Sequence, residues 1–224
     1  MAAGHRERLR KRFMVEDIDN IPEYIVLEML LTGVVRRRDT SELARELIAA
    51  FGSLAKVIDA PEAELLKIPG MGQSMVTHIK LIPKFYRKYR LSKWENRLVF
   101  HDLAHAGDYL VDKVIGFDHE VLVVLCMDSN CRVLATQKVF EGNINAVHVS
   151  MRQIVDTALH YNASRVIIAH NHLSGNALPS NEDLVTTRKV RDALEMVGVR
   201  LDDHIIIADD DYVSLSQSGF FAQI

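Results

Sequence analysis

The spacing of apolar positions changes near the middle of the chain. Up to about Asn96 they recur every three or four residues, in "PEYIVLEMLLTGV" from Pro22, "DTSELARELIAAFG" ending at Gly52, "APEAELLKI" with Pro61 near its first turn, and "GQSMVTHIKLIPKFYRKYRL". That period predicts helices, opened by proline or cap-type residues and stopped by glycine. Pro83 should kink or divide the last of them, because it lacks the N–H and its ring crowds the preceding turn. Beyond Asn96, "EVLVVLCMD" and "RVLATQKVF" are apolar, β-branched runs joined across "SN", the pattern of a hairpin. "HVSMRQIVDTALHYN" is amphipathic at helical spacing, and "SRVIIAH" reads as a short buried strand. "SNEDLVTTRKVRDALEMVG" predicts a long helix with Ser180 as N-cap and Gly198 just past its end. "DDHIIIADDDYVSLS" reads as two strands around an Asp-rich turn. Strands alternating with helices, after a hairpin, predict a mixed sheet with helices on its faces. The expected organisation is an all-helical domain over 1–97 and an α/β domain over 98–224.

Composition adds charge to this picture. Residues 1–97 hold 18 basic against 13 acidic residues, net +5; residues 98–224 hold 9 against 17, net −8. Two modules with different partners are expected, one of them suited to a polyanion. No apolar run approaches a membrane span, and no apolar stretch follows the basic "MAAGHRERLRKRF" as in an exported chain, so a cytoplasmic location is expected. Cys126 and Cys131 give neither a disulfide framework nor a four-cysteine zinc site, and read as two strand residues of a reducing compartment.

The chemistry concentrates in "AHNHLSGNALPSNED", Ala169–Asp183. Residues i and i+2 of a strand share a face, so His170 and His172 project side by side. The "LSGNALPS" turn leads into a helix whose first turn carries Asp183, able to point back across the loop. Two imidazoles and one carboxylate leave a fourth tetrahedral position open, the arrangement of a catalytic zinc site. Taken singly, each element has a structural reading. An H-x-H pair arises by chance, and Ser180 with Asp183 is also a capping box.

His170-x-His172-x7-Ser180-x2-Asp183 resembles the JAMM (MPN+) metalloprotease motif. The wider "AHNHLSGNALPSNED…LDDHIIIADDDYVSL", with "GHRERLRKRF" and "RRRDTSELARELIAAFGSL" in the first half, resembles the RadC family of JAMM-like bacterial proteins. Leu173 departs from the pattern, standing where that family usually has proline. The resemblance implies a C-terminal JAMM/MPN-like α/β domain, Zn2+ held by His170, His172 and Asp183, and a protein or peptide substrate cleaved at a peptide or isopeptide amide bond. It implies Glu120, opening "EVLVVLCMD", as general acid/base, with Glu141 the less favoured rival. Ser180 would donate to the developing oxyanion, a role that competes with its cap for one hydroxyl. Asn171 reads as a loop-stabilising group, and His204 as a buried structural histidine or a partner to a ligand.

In the basic half, "KIPGMGQSMVTHI" resembles a helix-hairpin-helix. Gly70 and Gly72 permit a tight turn whose N–H groups can face a phosphate ahead of a helix N-terminus. Lys80, Lys84, Arg87 and Lys88 follow, interleaved with aromatics, as in a phosphate-backbone footprint. Sequence-independent DNA contact is one expectation; a hairpin used only for packing is the other. Three functions are weighed. The first is a zinc-dependent amide hydrolase. The second is a DNA-associated or protein-binding module whose metal site is structural or vestigial, tied to repair or recombination only by the resemblance. The third, phosphodiester hydrolysis, is poorly served by one metal and a single carboxylate.

Overall fold

The structure, a computed structural model, describes residues 2–35, 39–94, 99–100, 102–142 and 151–223. Arg36–Arg38, His101 and His148 fall outside the described residues. The chain forms two compact units, Met1–Tyr86 and Arg87–Ile224.

The first unit is helical: α1 (Ala2–Val15), a 3-10 turn at Ile18–Asn20, α2 (Glu23–Thr32), α3 (Ser41–Phe51), α4 (Leu54–Asp59), α5 (Glu62–Leu66) and the start of α6 (Gln73–Ser92). Its core gathers Leu27, Leu31, Leu43, Leu47, Val57, Leu65, Val76 and Ile79, the apolar faces that the helical spacing marks out. Each such fully buried side chain stabilises the fold by about 1.5–3 kcal/mol relative to exposure. Pro83 does not divide α6, which runs unbroken for 20 residues. The proline's missing N–H leaves only the Ile79 carbonyl without its i+4 donor, a local loss that the rest of the helix absorbs. Between α5 and α6, Met71 N–H donates to the Ile68 carbonyl at 3.0 Å, with Pro69 and Gly70 between them and Gly70 at φ +91°. That is the sequence and hydrogen bond of a type II turn, which only glycine enters without strain at that position.

The second unit has three layers. Its sheet contains β1 (Val121–Met127), β2 (Val133–Glu141), β3 (Arg165–Asn171), β4 (Arg200–Ala208) and β5 (Asp211–Ser214), in the order β2-β1-β3-β4-β5. The β1–β2, β1–β3 and β4–β5 pairs are antiparallel, and β3–β4 is parallel. α7 (Leu103–Val114) covers one face, packing Ala106, Leu110 and Val114 against Val121, Val123, Leu125, Ile167, Ala169 and Ile205. α8 (Met151–His160) and α9 (Asn181–Glu195) cover the other, where Ile154, Ala158, Val190 and Leu194 meet Leu122, Val124, Val166 and Ile168. Strand β3 is buried on both faces, which is why "RVIIA" reads as a continuous apolar run and not as an alternation. A parallel β3–β4 pair needs a crossover, and α9 supplies it. The architecture is thus mixed α/β, helices first and a five-stranded sheet after.

α9 begins and ends as its sequence predicts. Ser180 is the N-cap, and Val199 N–H and Gly198 N–H return to the Leu194 and Glu195 carbonyls in a Schellman pattern. α9 starts ten residues after the C-terminal end of β3, the central strand of the sheet.

Candidate metal centre

β3 ends on "AHN", and alternation sends His170 to the face covered by α8 and α9. His172 follows one pleat later, its N–H donating to the Ile207 carbonyl of β4 at 2.7 Å. The turn then delivers Ser180 and Asp183 to the same place. The His170 and His172 Nε2 atoms lie 2.9 Å apart; Asp183 Oδ1 is 3.2 Å from the first and Asp183 Oδ2 3.4 Å from the second. His170 and Asp183 are buried and His172 is half-buried. The three donor atoms lie within 4.8 Å of one another and could hold a metal ion. Ligands about 2.0–2.2 Å from a tetrahedral ion stand roughly 3.3 Å apart, so the observed separations suit such an ion.

The ligand set is held from behind. His172 Nδ1 is 3.0 Å from the Asn176 carbonyl, to which its N–H donates, turning Nε2 toward the centre. Asp183 divides its two oxygens. Oδ2 accepts from Ser180 N–H at 2.8 Å and from Ser180 Oγ–H at 2.7 Å, while Oδ1 faces His170. Asp183 N–H returns the bond to Ser180 Oγ at 3.1 Å, completing a capping box. Burial by itself would raise the Asp183 carboxyl, but the His170 and His172 contacts overcome it and hold the group well below the usual carboxylate range. His172 is raised, chiefly by its bond to Asp183 and against partial desolvation. The proton it favours lies among the same three atoms that an ion would join.

Glu120 precedes β1, and its carbonyl accepts Gly142 N–H at 3.0 Å. Leu122 is paired with His170 across the β1–β3 ladder, so one pleat further Glu120 comes opposite His172. It is close enough to contribute to the rise in the His172 pKa. Asn171, between the two histidines, grips this segment. Its Oδ1 accepts Val121 N–H at 2.7 Å and its Nδ2 donates to the His119 carbonyl at 3.1 Å, the peptide groups on either side of Glu120. The sequence pointed only to a loop-stabilising role for Asn171. Glu141, the rival carboxylate, is tied to Lys138 and to His119 Nε2 at 2.9 Å. The Lys138 contact foremost holds its pKa below the ordinary value, which makes it a weaker base.

His204 of β4 is fully buried behind His170, its Nε2 2.9 Å from His170 Nδ1. Its other nitrogen is 2.6 Å from Thr187 Oγ1, and that hydroxyl donates to the Asp183 carbonyl at 2.6 Å. Burial pushes the His204 pKa well below its ordinary value. Thr187 carries no motif and nothing in the sequence marks it; only its position four residues after Asp183, on the same helix face, could have suggested it.

The residues expected to meet nucleic acid are scattered in their roles. Gly70 is exposed at its turn and Gly72 half-buried before α6, while Lys84 and Lys88 are exposed four residues apart on that helix. Lys80 Nζ donates to the Ile58 carbonyl at 2.7 Å, near the end of α4, and the Arg87 guanidinium lies 4.2 Å over the Phe117 ring. Those two cations have work inside the protein. Outside the metal centre, a groove of about 440 Å³ runs between β2 and α8, lined by residues such as Gln137, Gln153 and Tyr161, and none of the candidate site residues lines it. No described helix is long and apolar enough to cross a membrane.

The family model described as a RadC-like JAB domain matches residues 100–220. The chain is 33% identical over 214 residues to a UPF0758 protein of Marinomonas sp., covering 96% of each. It is 31% identical over 216 residues to a UPF0758 protein of Ruegeria pomeroyi, and 30% identical over 214 residues to one of Xylella fastidiosa, again with 96% of each chain covered.

Proposed function

The chain belongs to the RadC-like JAB domain family, and from that premise we propose that it is a zinc-dependent hydrolase of JAMM type acting on peptide or isopeptide amide bonds. The observation that carries the reading is the convergence of His170 Nε2, His172 Nε2 and the Asp183 carboxylate at the C-terminal end of β3. These three would hold the ion, which when bound supplies Lewis acidity toward a scissile carbonyl and toward water at neutral pH.

The protein's own groups do the rest. Asn171 fixes the backbone around Glu120. The Glu120 carboxylate takes a proton from the attacking water and returns it to the leaving nitrogen. Ser180 Oγ–H, at the rim of the site, donates to the oxyanion that develops, exchanging its Asp183 partner to do so. His170 and Asp183, buried against the sheet, exclude bulk water from one side. The test is cleavage of a peptide and isopeptide library by the zinc-loaded protein. Glu120→Gln should retain the metal and lose roughly 10²-fold or more of turnover. Glu141→Gln should lose little. The converse result would transfer the role to Glu141, and no turnover by the unaltered protein on any substrate would favour a binding module with a structural metal.

The type II turn at Gly70 and the exposed Lys84 and Lys88 support a second, compatible reading, in which the helical region 1–97 contacts DNA without sequence preference.

A further inference from the structure

His170 reaches the candidate ligand cluster with one nitrogen and His204 with the other, and the hydrogens along this path can be assigned by counting donors. Thr187 Oγ1 lies 2.6 Å from the Asp183 carbonyl, an atom that only accepts, so the single hydroxyl hydrogen points there. The same oxygen, 2.6 Å from His204 Nδ1, is left to accept, so Nδ1 carries a hydrogen. Counting from the other end, a metal on His170 Nε2 needs that nitrogen bare, which puts the hydrogen of His170 on Nδ1. That N–H faces His204 Nε2 at 2.9 Å, which must therefore be bare. The two counts, started from opposite ends, agree on one form of His204: neutral, protonated at Nδ1.

We infer that His204 and Thr187 are positioning residues that preset the tautomer and ring angle of His170 and so raise metal affinity. The inference rests on the reading of His170, His172 and Asp183 as a metal centre. The path closes on itself. Asp183 offers its carboxylate to the centre and its backbone carbonyl to Thr187, so the relay ties a ligand on β3 to a ligand on α9 through a residue of β4. The strand backbone under His204 is held in turn: the His204 backbone N–H donates to Asp203 Oδ1 at 2.8 Å, and Asp203 also accepts from Ser216 N–H and the Ser214 hydroxyl. With both ring nitrogens of His204 bonded and its side chain fully buried, His170 has little freedom to rotate away from the centre. Without the relay, His170 is free to take the other tautomer, with a hydrogen where the metal lone pair should be.

The test uses the full chain and zinc alone, with affinity read by competition against a chromophoric chelator. His204→Leu keeps bulk and removes both hydrogen bonds; Thr187→Val keeps shape and removes the acceptor. Each should weaken zinc by about 10–100-fold, the usual cost of losing such an outer partner. His204→Gln, whose amide can accept from His170 and donate to Thr187, and Thr187→Ser should stay within a few-fold of the unaltered protein. Melting of the metal-free variants separates affinity from folding, and nitrogen NMR of the imidazoles in the unaltered protein should show His204 protonated at Nδ1. Unchanged affinity in His204→Leu and Thr187→Val, equal losses in Leu and Gln, or a hydrogen on His204 Nε2 would overturn the relay while leaving the metal centre standing. Absence of zinc binding in the unaltered protein would overturn the metal reading, and the relay with it.

Discussion

Replacing Ser180 by alanine separates two jobs that share one hydroxyl. Ser180 Oγ accepts Asp183 N–H at 3.1 Å and donates to Asp183 Oδ2 at 2.7 Å; Ser180 N–H reaches the same Oδ2 at 2.8 Å. Alanine keeps only the last of these. Ser180 is exposed, so water can replace its donation to the carboxylate, and the loss is governed by the cap. Removing such a cap costs about 1 kcal/mol. For a cooperative unit of roughly 140 residues that amounts to a fall in Tm of about 3–4 °C. Calorimetry of the full chain in chelator, following the transition of Arg87–Ile224, measures it, with Ser180→Thr as the variant that keeps the cap. A metal-free Tm within 1 °C of the unaltered protein would refute the cap argument. Loss of turnover on top of this, of about 10²-fold in the zinc-loaded form, would report the oxyanion role separately.

Other consequences follow from particular contacts. Asn171→Ala should leave zinc affinity near its original value and lower turnover, because it frees the backbone around Glu120 without touching a ligand; equal turnover would remove Asn171 from the mechanism. A thiol reagent at pH 8 should label one cysteine per native chain, Cys131, since Cys126 is fully buried and its thiol is pushed up to about 11 by burial; rapid labelling of two would contradict the packing of β1. If the helical unit meets DNA, log K should fall with log salt at a slope near −0.9 per phosphate, and with Lys80 and Arg87 engaged elsewhere about two contacts are expected. Charge reversal at Lys84 and Lys88 should flatten that slope, and no binding at low salt would return the hairpin to a packing role.

What the sequence reveals here is what is local. Apolar, β-branched runs announce the hairpin and β3, and helical spacing the crossover helix. Ser180 and Gly198 mark the ends of α9 because caps depend on neighbours a few residues away. The candidate ligand cluster is legible for the same reason: His170, His172 and Asp183 lie within a single strand–turn–helix. α7, capped by Asp102, buries Ala106, Leu110 and Val114 on one face, with a glycine, Gly107, among them that no local pattern explains. That glycine answers to a distant residue: a Cβ there would sit 2.3 Å from the Tyr212 ring on β5. The Asn171 grip on β1 and the His204–Thr187 pair likewise join residues 50 and 17 positions apart, through strand neighbours that no local pattern declares. Of the two outcomes expected of Pro83, division of the helix does not occur, since one missing donor does not stop the ladder on either side of it.

The central claim is that His170, His172 and Asp183 bind a metal together. Elemental analysis of the purified full chain, beside His172→Ala prepared in parallel, tests it most directly. About one zinc per chain is expected in the unaltered protein and no stoichiometric metal in the variant, which loses one of the three donors. Full zinc occupancy in His172→Ala, or none in the unaltered protein, would contradict the account.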